Sequence, residues 1–76
     1  MKKYKFITIK KDENRKFKNR DCYSIFNNKT QDELGWIFYY IPWKQYVLSA
    51  NSTAVYNKDC LRDIADFIEN EIVLDK

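Results

Sequence analysis

The residues of this chain that could perform chemistry are two cysteines and a group of acids near the C-terminal end. Cys60 stands at the start of a predicted helix, where the pKa of a thiol can fall, but the chain has no histidine to activate a nucleophile. A buried, apolar role for Cys60 is the more usual one. Asp59, Asp63 and Asp66 have the spacing of a solvated helix face.

Motifs for catalysis or metal binding do not occur elsewhere in the sequence. Two cysteines without histidine cannot supply a four-ligand zinc site. The chain also has no glycine-rich phosphate loop and no nucleophile elbow. We therefore expect a protein that is not an enzyme and that needs neither a metal nor another cofactor.

Aromatic side chains are concentrated in residues 34–49, which hold both tryptophans, three of the six tyrosines, the single glycine and the single proline. Rings beside cations are typical of surfaces that bind single-stranded nucleic acid, where bases stack on rings and cations follow the phosphates. The alternative is that the rings form core or a dimer interface. Only one cation is close to them in sequence, and the candidate partner-binding residues are Trp36, Phe38, Tyr40, Trp43 and Lys44.

Charge is unevenly distributed along the chain. Residues 1–20 carry nine Lys/Arg and two acids (9 − 2 = +7), whereas residues 21–76 carry five Lys/Arg and nine acids (5 − 9 = −4). A basic segment of this kind can follow phosphates, although most charge runs are solvated loops. The candidate nucleic-acid-binding residues are Lys2, Lys3, Lys5, Lys10, Lys11, Arg15, Lys16, Lys18 and Arg20.

Length and hydropathy indicate one soluble domain. No signal peptide is recognisable after the basic start, and no apolar stretch has the roughly 18–20 residues that a membrane-spanning helix needs. We therefore expect a cytoplasmic protein in which Cys22 and Cys60 are reduced, a disulfide between them being the alternative.

The hydrophobic pattern predicts four strands at residues 4–9, 22–26, 34–41 and 45–50. The polar residues 10–21 are predicted to form a loop or a mobile edge. Asn57 is predicted to cap a helix over residues 57–72. The domain would then consist of a basic strand and arm (1–21), an antiparallel sheet (22–56) and the helix, whose core-facing stripe is predicted to be Leu61, Ile64, Ala65, Ile68 and Ile72.

These elements predict an α+β fold: an antiparallel meander of four or five strands with one C-terminal helix packed on one face. In the third strand, Leu34, Trp36, Phe38 and Tyr40 would share one face, and both faces of that strand are apolar. One helix can cover only one of them. The other aromatic face is left as a surface for a partner or for a second copy.

Several blocks in residues 22–70 resemble a group of small bacteriophage and prophage proteins. The blocks are an LGxIxYYxxWKQYV pattern from Leu34 to Val47, a TxVY pattern from Thr53, and a CLxDIxxFI pattern from Cys60 to Ile68. The resemblance implies a mobile-element accessory protein in a bacterial cytoplasm, a setting in which small proteins often bind a host protein or nucleic acid, and it carries over no functional residues. We expect binding of a host or defence protein, or of a second copy, through the aromatic face. Single-stranded nucleic acid is the alternative ligand. The order of four strands and a helix is also similar to that of PC4-like single-stranded DNA-binding proteins.

Overall fold

A computed structural model, which describes residues 1–17 and 19–72, contains one antiparallel sheet followed by one helix. Each strand pairs with its neighbours in sequence, so the sheet is a five-stranded meander. This confirms the predicted α+β class and settles the strand number at five among these residues. The strands are β1 (Lys2–Lys3), β2 (Ile7–Phe17), β3 (Arg20–Asn27), β4 (Glu33–Tyr40) and β5 (Gln45–Ala50).

The prediction of a loop over residues 10–21 is wrong. Strand β2 runs to Phe17 and β3 begins at Arg20, so most of this basic segment is a β-hairpin. Lys10 pairs with Ser24 and Lys11 with Tyr23. Residues 10–17 lack the alternation of apolar and polar residues that marks a half-buried strand, because β2 leaves the core after Ile9. This part of β2 is held by backbone pairing with β3 and not by burial of its side chains.

Two irregularities in the strand pairing change the direction in which side chains point. Between the pairs Asp12–Cys22 and Lys16–Asp21 the register of β2 shifts, and the Asn14 amide donates a hydrogen bond to Oδ1 of Asp12 at 3.0 Å. In β4, Glu33 pairs with Phe26 and Gly35 with Ile25, so Leu34 between them is the extra residue of a bulge.

Because of this bulge, Leu34 is buried in the core, and its predicted place beside Trp36 and Phe38 is wrong. The rest of the alternation in β4 is as predicted, since Ile37 and Tyr39 face the core.

The turn between β4 and β5 forms at the predicted proline. Strand β4 ends at Tyr40, and Ile41–Trp43 form a 3₁₀ turn with Pro42 in its first half. Lys44 closes the turn in the left-handed region, with φ of 52°, and its amide donates to the Ile41 carbonyl oxygen at 3.0 Å.

Helix α1 (Lys58–Asp66) begins as predicted, because Oδ1 of Asn57 accepts a hydrogen bond from the Cys60 amide at 2.7 Å. The helix continues into a wider π-helical turn, Phe67–Glu71. The predicted stripe is partly wrong, because Leu61 is 50% exposed and Ala65 is also exposed. The buried side chains are Cys60, Ile64, Phe67 and Ile72.

A large ring explains the rotation of this stripe. Phe67 is 5% exposed and meets Tyr23 of β3 edge to face, with centroids 5.1 Å apart. Burying a phenyl ring gains more free energy than burying the methyl group of Ala65. The helix therefore turns its Cys60–Ile64–Phe67 side to the sheet.

The core lies between α1 and one face of the sheet. Ile9, Ile25 and Ile37 are completely buried, and Ile7 is nearly so. Each of these side chains stabilises the fold by about 1.5–3 kcal/mol. Tyr46 belongs to the core and Tyr23 and Tyr56 pack against it, and burial raises the pKa of all three phenols.

Gly35 lies where two backbones approach closely. A Cβ atom at this position would be 2.5 Å from the Ser49 carbonyl oxygen and 2.7 Å from the Tyr56 hydroxyl oxygen. The Tyr56 hydroxyl donates to the Leu34 carbonyl oxygen at 2.7 Å and so ties the segment before α1 to the bulge in β4.

Gly35→Ala is expected to lower the free energy of unfolding by roughly 1–3 kcal/mol, because the Ser49 backbone cannot move aside without disturbing the β4–β5 ladder. Urea denaturation measures the change. Tyr56→Phe serves as the background control, since it removes the hydroxyl but leaves the Ser49 contact. An alanine variant within about 0.5 kcal/mol of wild type in both backgrounds would contradict this role of Gly35.

A hydrogen-bonded carboxylate connects the N-terminal segment to the helix. Asp66 accepts from the Asn70 side-chain amide at 2.8 Å and from the Tyr4 hydroxyl at 3.0 Å. These two bonds lower the pKa of Asp66 from its ordinary value of 3.8. Burial of the ring and the nearby Asp66 carboxylate raise the pKa of Tyr4.

The depressed pKa of Asp66 predicts a loss of stability in acid. The contribution is complete above the ordinary pKa of 3.8 and disappears as pH falls through the lower folded-state pKa. The difference in unfolding free energy between wild type and Asp66→Asn should therefore shrink as pH is lowered from about 6 to about 2.5. Tyr4→Phe should weaken this dependence without abolishing it, since the Asn70 bond remains. A difference that stays constant with pH would contradict the linkage.

Candidate ligand-binding face

The side of the sheet away from α1 is called here the open face. Because side chains alternate along strands and paired residues share a face, the registers define its members. Of the strand residues that the structure describes, the open face contains Lys3, Thr8, Lys10, Asp12, Cys22, Ser24, Phe26, Glu33, Trp36, Phe38, Tyr40, Gln45, Val47 and Ser49.

A continuous row of rings crosses this face along β4. Trp36 stacks on Phe38, with centroids 4.6 Å apart and an angle of 24° between the planes. Phe38 meets Tyr40 edge to face at 6.4 Å, and Tyr40 meets Trp43 edge to face at 5.2 Å. All four predicted aromatic residues therefore come together, as β4 and the turn after it dictate.

Exposure increases along the row towards the turn. Trp36 and Phe38 are half-buried, whereas Tyr40 is 36% and Trp43 66% exposed. The buried residues of α1, Cys60 and Ile64, belong to the core cluster on the other side of the sheet. The row is a surface with vacant apolar area at one end and partly shielded rings at the other.

Two cations lie directly on rings of the open face. The Lys10 ammonium is 5.4 Å from the centre of the Phe26 ring, and the Arg15 guanidinium is 4.7 Å from the centre of the Trp36 indole. Arg15 reaches Trp36 from the irregular part of β2, where its Nε is also 3.5 Å from Oδ2 of Asp12. Arg15 therefore brings positive charge into contact with the aromatic row, and Lys10 brings it to the neighbouring Phe26, on a face that also carries the carboxylates of Asp12 and Glu33.

This arrangement differs from the expectation that only Lys44 would stand near the rings. Lys10 and Arg15 are 26 and 21 positions away from Trp36 in the sequence (36 − 10 and 36 − 15), and only the β2–β3–β4 pairing brings them onto its face. Lys3 pairs with Thr8 and so belongs to the same side. Lys44 is exposed directly after Trp43, at the other end of the row.

The other predicted cations that the structure describes lie away from the aromatic row. Lys2 approaches Glu71 at 4.0 Å, Lys11 forms an ion pair with Asp21 at 3.4 Å, and Arg20 stacks 4.2 Å from the centre of Tyr39, on the core side. The Asp21 carboxylate raises the pKa of Lys11. Lys5 lies 5.3 Å from the Phe6 ring, Lys16 is exposed, and Lys18 lies outside the described residues.

Sequence reasoning missed Phe26 and Asp12 as members of the face. Ser24 and Phe26 alternate with the buried Ile25, so the period of two in β3 could have identified Phe26. No sequence pattern marks Asp12, because its contact with Arg15 depends on the register shift in β2. Asp12 also accepts a hydrogen bond from the Ser24 hydroxyl on the neighbouring strand at 3.4 Å.

The acids and thiols that could do chemistry remain apart. Cys60 is 5% exposed at the edge of a depression of about 400 Å³ whose lining includes Lys5, Phe6 and Val55. No disulfide joins it to Cys22. Within residues 1–17 and 19–72, no three Cys, Asp or Glu side chains are grouped as metal ligands would be. Asp66 is held by hydrogen bonds and Asp59 by Arg62 at 3.7 Å.

Arg15 is expected to shield Trp36 from solvent. In a Trp43→Phe background Trp36 is the only indole, and adding Arg15→Ala should increase quenching of its fluorescence by neutral acrylamide. Lys16→Ala is the matched control, since it removes the adjacent exposed cation. Equal quenching in the arginine and lysine variants would show that the guanidinium does not cover the ring.

No family model, curated protein or solved structure matches this chain. Within the described part of the chain, no helix has the length and apolar character needed to cross a membrane. The function therefore has to be inferred from the geometry of the open face.

Proposed function

We propose that the protein is a non-enzymatic binding protein that works through the open face, and that single-stranded nucleic acid is the ligand class that this face fits best. The observation that carries the proposal is the contact of Lys10 and Arg15 with rings of the same face, at 5.4 and 4.7 Å. Cations beside an aromatic platform match the two parts of a nucleotide, its phosphate and its base.

The shape of the aromatic row supports base stacking. Tyr40 and Trp43 present exposed ring area, and every base offers a π-face to such rings whatever its sequence. Trp36 and Phe38 extend the platform towards the centre of the sheet. Single strands, with their bases unstacked, suit this surface better than a duplex, whose bases are hidden.

Charge lies at both ends of the row. Arg15 and Lys10 stand near its Trp36 end, and Lys44 follows Trp43 at the other. Arg15 is stacked on Trp36 while pairing with Asp12 at 3.5 Å, and the Asp12 side chain is 21% exposed. A phosphate can take the place of Asp12 as the partner of the guanidinium while the stacking contact is kept.

The proposal predicts salt-sensitive binding of an oligothymidylate. Labelled DNA is titrated with protein at low and moderate salt, and fluorescence anisotropy gives the dissociation constant. Tyr40→Ala should weaken binding by about 1–3 kcal/mol if one base stacks on this ring. Lys10→Gln should weaken binding. It should also reduce the slope of log K against log salt concentration by about 0.7 for each phosphate that the lysine neutralises in the wild type.

Lys11→Gln is the matched control for this experiment. It removes the same charge from the next residue, whose side chain faces the other way and pairs with Asp21. Equal losses for the Lys10 and Lys11 variants would indicate general attraction of an anion rather than a site on the open face. Absence of binding by wild type at low salt would refute the nucleic-acid proposal.

A protein partner is the second candidate, favoured by the apolar corner around the β4–β5 turn. Ile41 is 44% and Trp43 66% exposed, and a depression of about 260 Å³ beside them is lined by Phe38, Tyr40 and Val47 among others. Such exposed apolar area is typical of docking surfaces. The partner expected from the sequence is a host or defence protein in a bacterial cell that carries the phage or prophage, with the protein in the cytoplasm.

The two candidates depend on different residues. Trp43→Ala should abolish capture of a specific host protein from nuclease-treated lysate, whereas Lys10→Gln should leave that capture intact. Loss of capture in the lysine variant alone would favour an anionic ligand instead.

A further inference from the structure

We propose that β5 pairs with the β5 strand of a second copy of this chain, antiparallel about a two-fold axis near Val47. This interface lies at the edge of the sheet and not on the open face. It therefore goes beyond the proposed function and does not depend on the ligand that the face binds.

The two edges of the sheet are built differently. The first edge is β1, which is only two residues long and consists of Lys2 and Lys3, a combination that discourages pairing with other chains. The second edge is β5, six residues long, with no charge, proline or glycine. It forms six pairs with β4 without a register shift, so its outer side is straight. In the described part of the sheet, no strand covers that outer side.

The sequence of β5 is complementary to itself in one register. With Val47 opposite its own symmetry mate, Tyr46 stands opposite Leu48, an aromatic–aliphatic pair on the core side. Gln45 stands opposite Ser49, a polar pair on the open-face side. Lys44 stands opposite Ala50, so no two like charges meet across the axis. A second copy would therefore pair with the backbone N–H and C=O groups on the outer side of β5, and the opposed side chains are compatible in this register.

This register also fixes the relation between the two open faces. Opposed residues in an antiparallel pair share a face, and here each pair joins equivalent faces of the two copies. Both aromatic rows would therefore lie on the same side of a continuous ten-stranded sheet.

The experiment measures the mass of the full chain by light scattering without nucleic acid, over a wide range of protein concentration. Wild type should reach twice the 9.3 kDa of one chain. Val47→Lys should remain at the monomer mass, because it sets two lysines against each other on the axis. Mixing Val47→Lys with Val47→Glu should restore the dimer. A wild-type protein that stays monomeric, or a Val47→Lys variant that still dimerises, would overturn the proposal.

A disulfide test keeps the register falsifiable even if a charge at position 47 impairs folding. In the proposed register the two Cα atoms of Val47 lie about 4.5–5.5 Å apart, which is within disulfide range. Val47→Cys should therefore form a covalent dimer on mild oxidation. Ser49→Cys should not, since its symmetry mate would be about 13 Å away along the strands. The reverse result, or a dimer in both variants, would refute this register.

Nucleic-acid titration separates this proposal from the proposed function. A wild-type dimer that does not bind DNA would contradict only the ligand proposal. A wild-type monomer that binds DNA would contradict only the β5 interface.

Discussion

The structure depends on one constraint: strand β4 is apolar on both sides, and the helix covers only one of them. Strand β4 carries Ile37 and Tyr39 on one side and Trp36 and Phe38 on the other, and residues 1–17 and 19–72 supply a single α-helix to cover them. That helix packs on the isoleucine side, where branched aliphatic side chains from three strands form the core. Burying the aromatic side as well would need a second apolar layer. The rings instead shield one another through stacked and edge-to-face contacts, and the end of the row stays exposed.

Electrostatics compensates for part of this missing cover. The charged ends of Lys10 and Arg15 lie over the rings of Phe26 and Trp36. Such side chains protect apolar surface while their charge remains available to solvent or to an anion. The basic N-terminal segment therefore has a structural role and a proposed ligand role at the same residues. On the core side, Lys11 and Arg20 instead fasten the hairpin to Asp21 and Tyr39.

The irregular parts of the ladder direct these contacts. The shift in β2 allows Arg15 to reach across β3 to Trp36, and the bulge in β4 moves Leu34 into the core. Gly35, directly after that bulge, lets the β4 and β5 backbones and the Tyr56 hydroxyl approach closely. Regular pairing would have put Leu34 in the aromatic row and would have left Arg15 outside it. The face is thus shaped by deviations from the sheet as much as by the sheet.

The sequence by itself determined the elements that rest on local signals. Asn57 caps the helix, Pro42 ends β4, and the alternation in residues 45–50 gives β5 its faces, because each signal acts through neighbouring backbone or a short period. The sequence also indicated that one aromatic face would exceed the cover available. Only the tertiary structure decided that residues 10–17 form a strand, that Phe67 rather than Ala65 faces the sheet, and that Lys10 and Arg15 stand on the rings. These features depend on strand register and on competition between side chains distant in sequence, which no local pattern encodes.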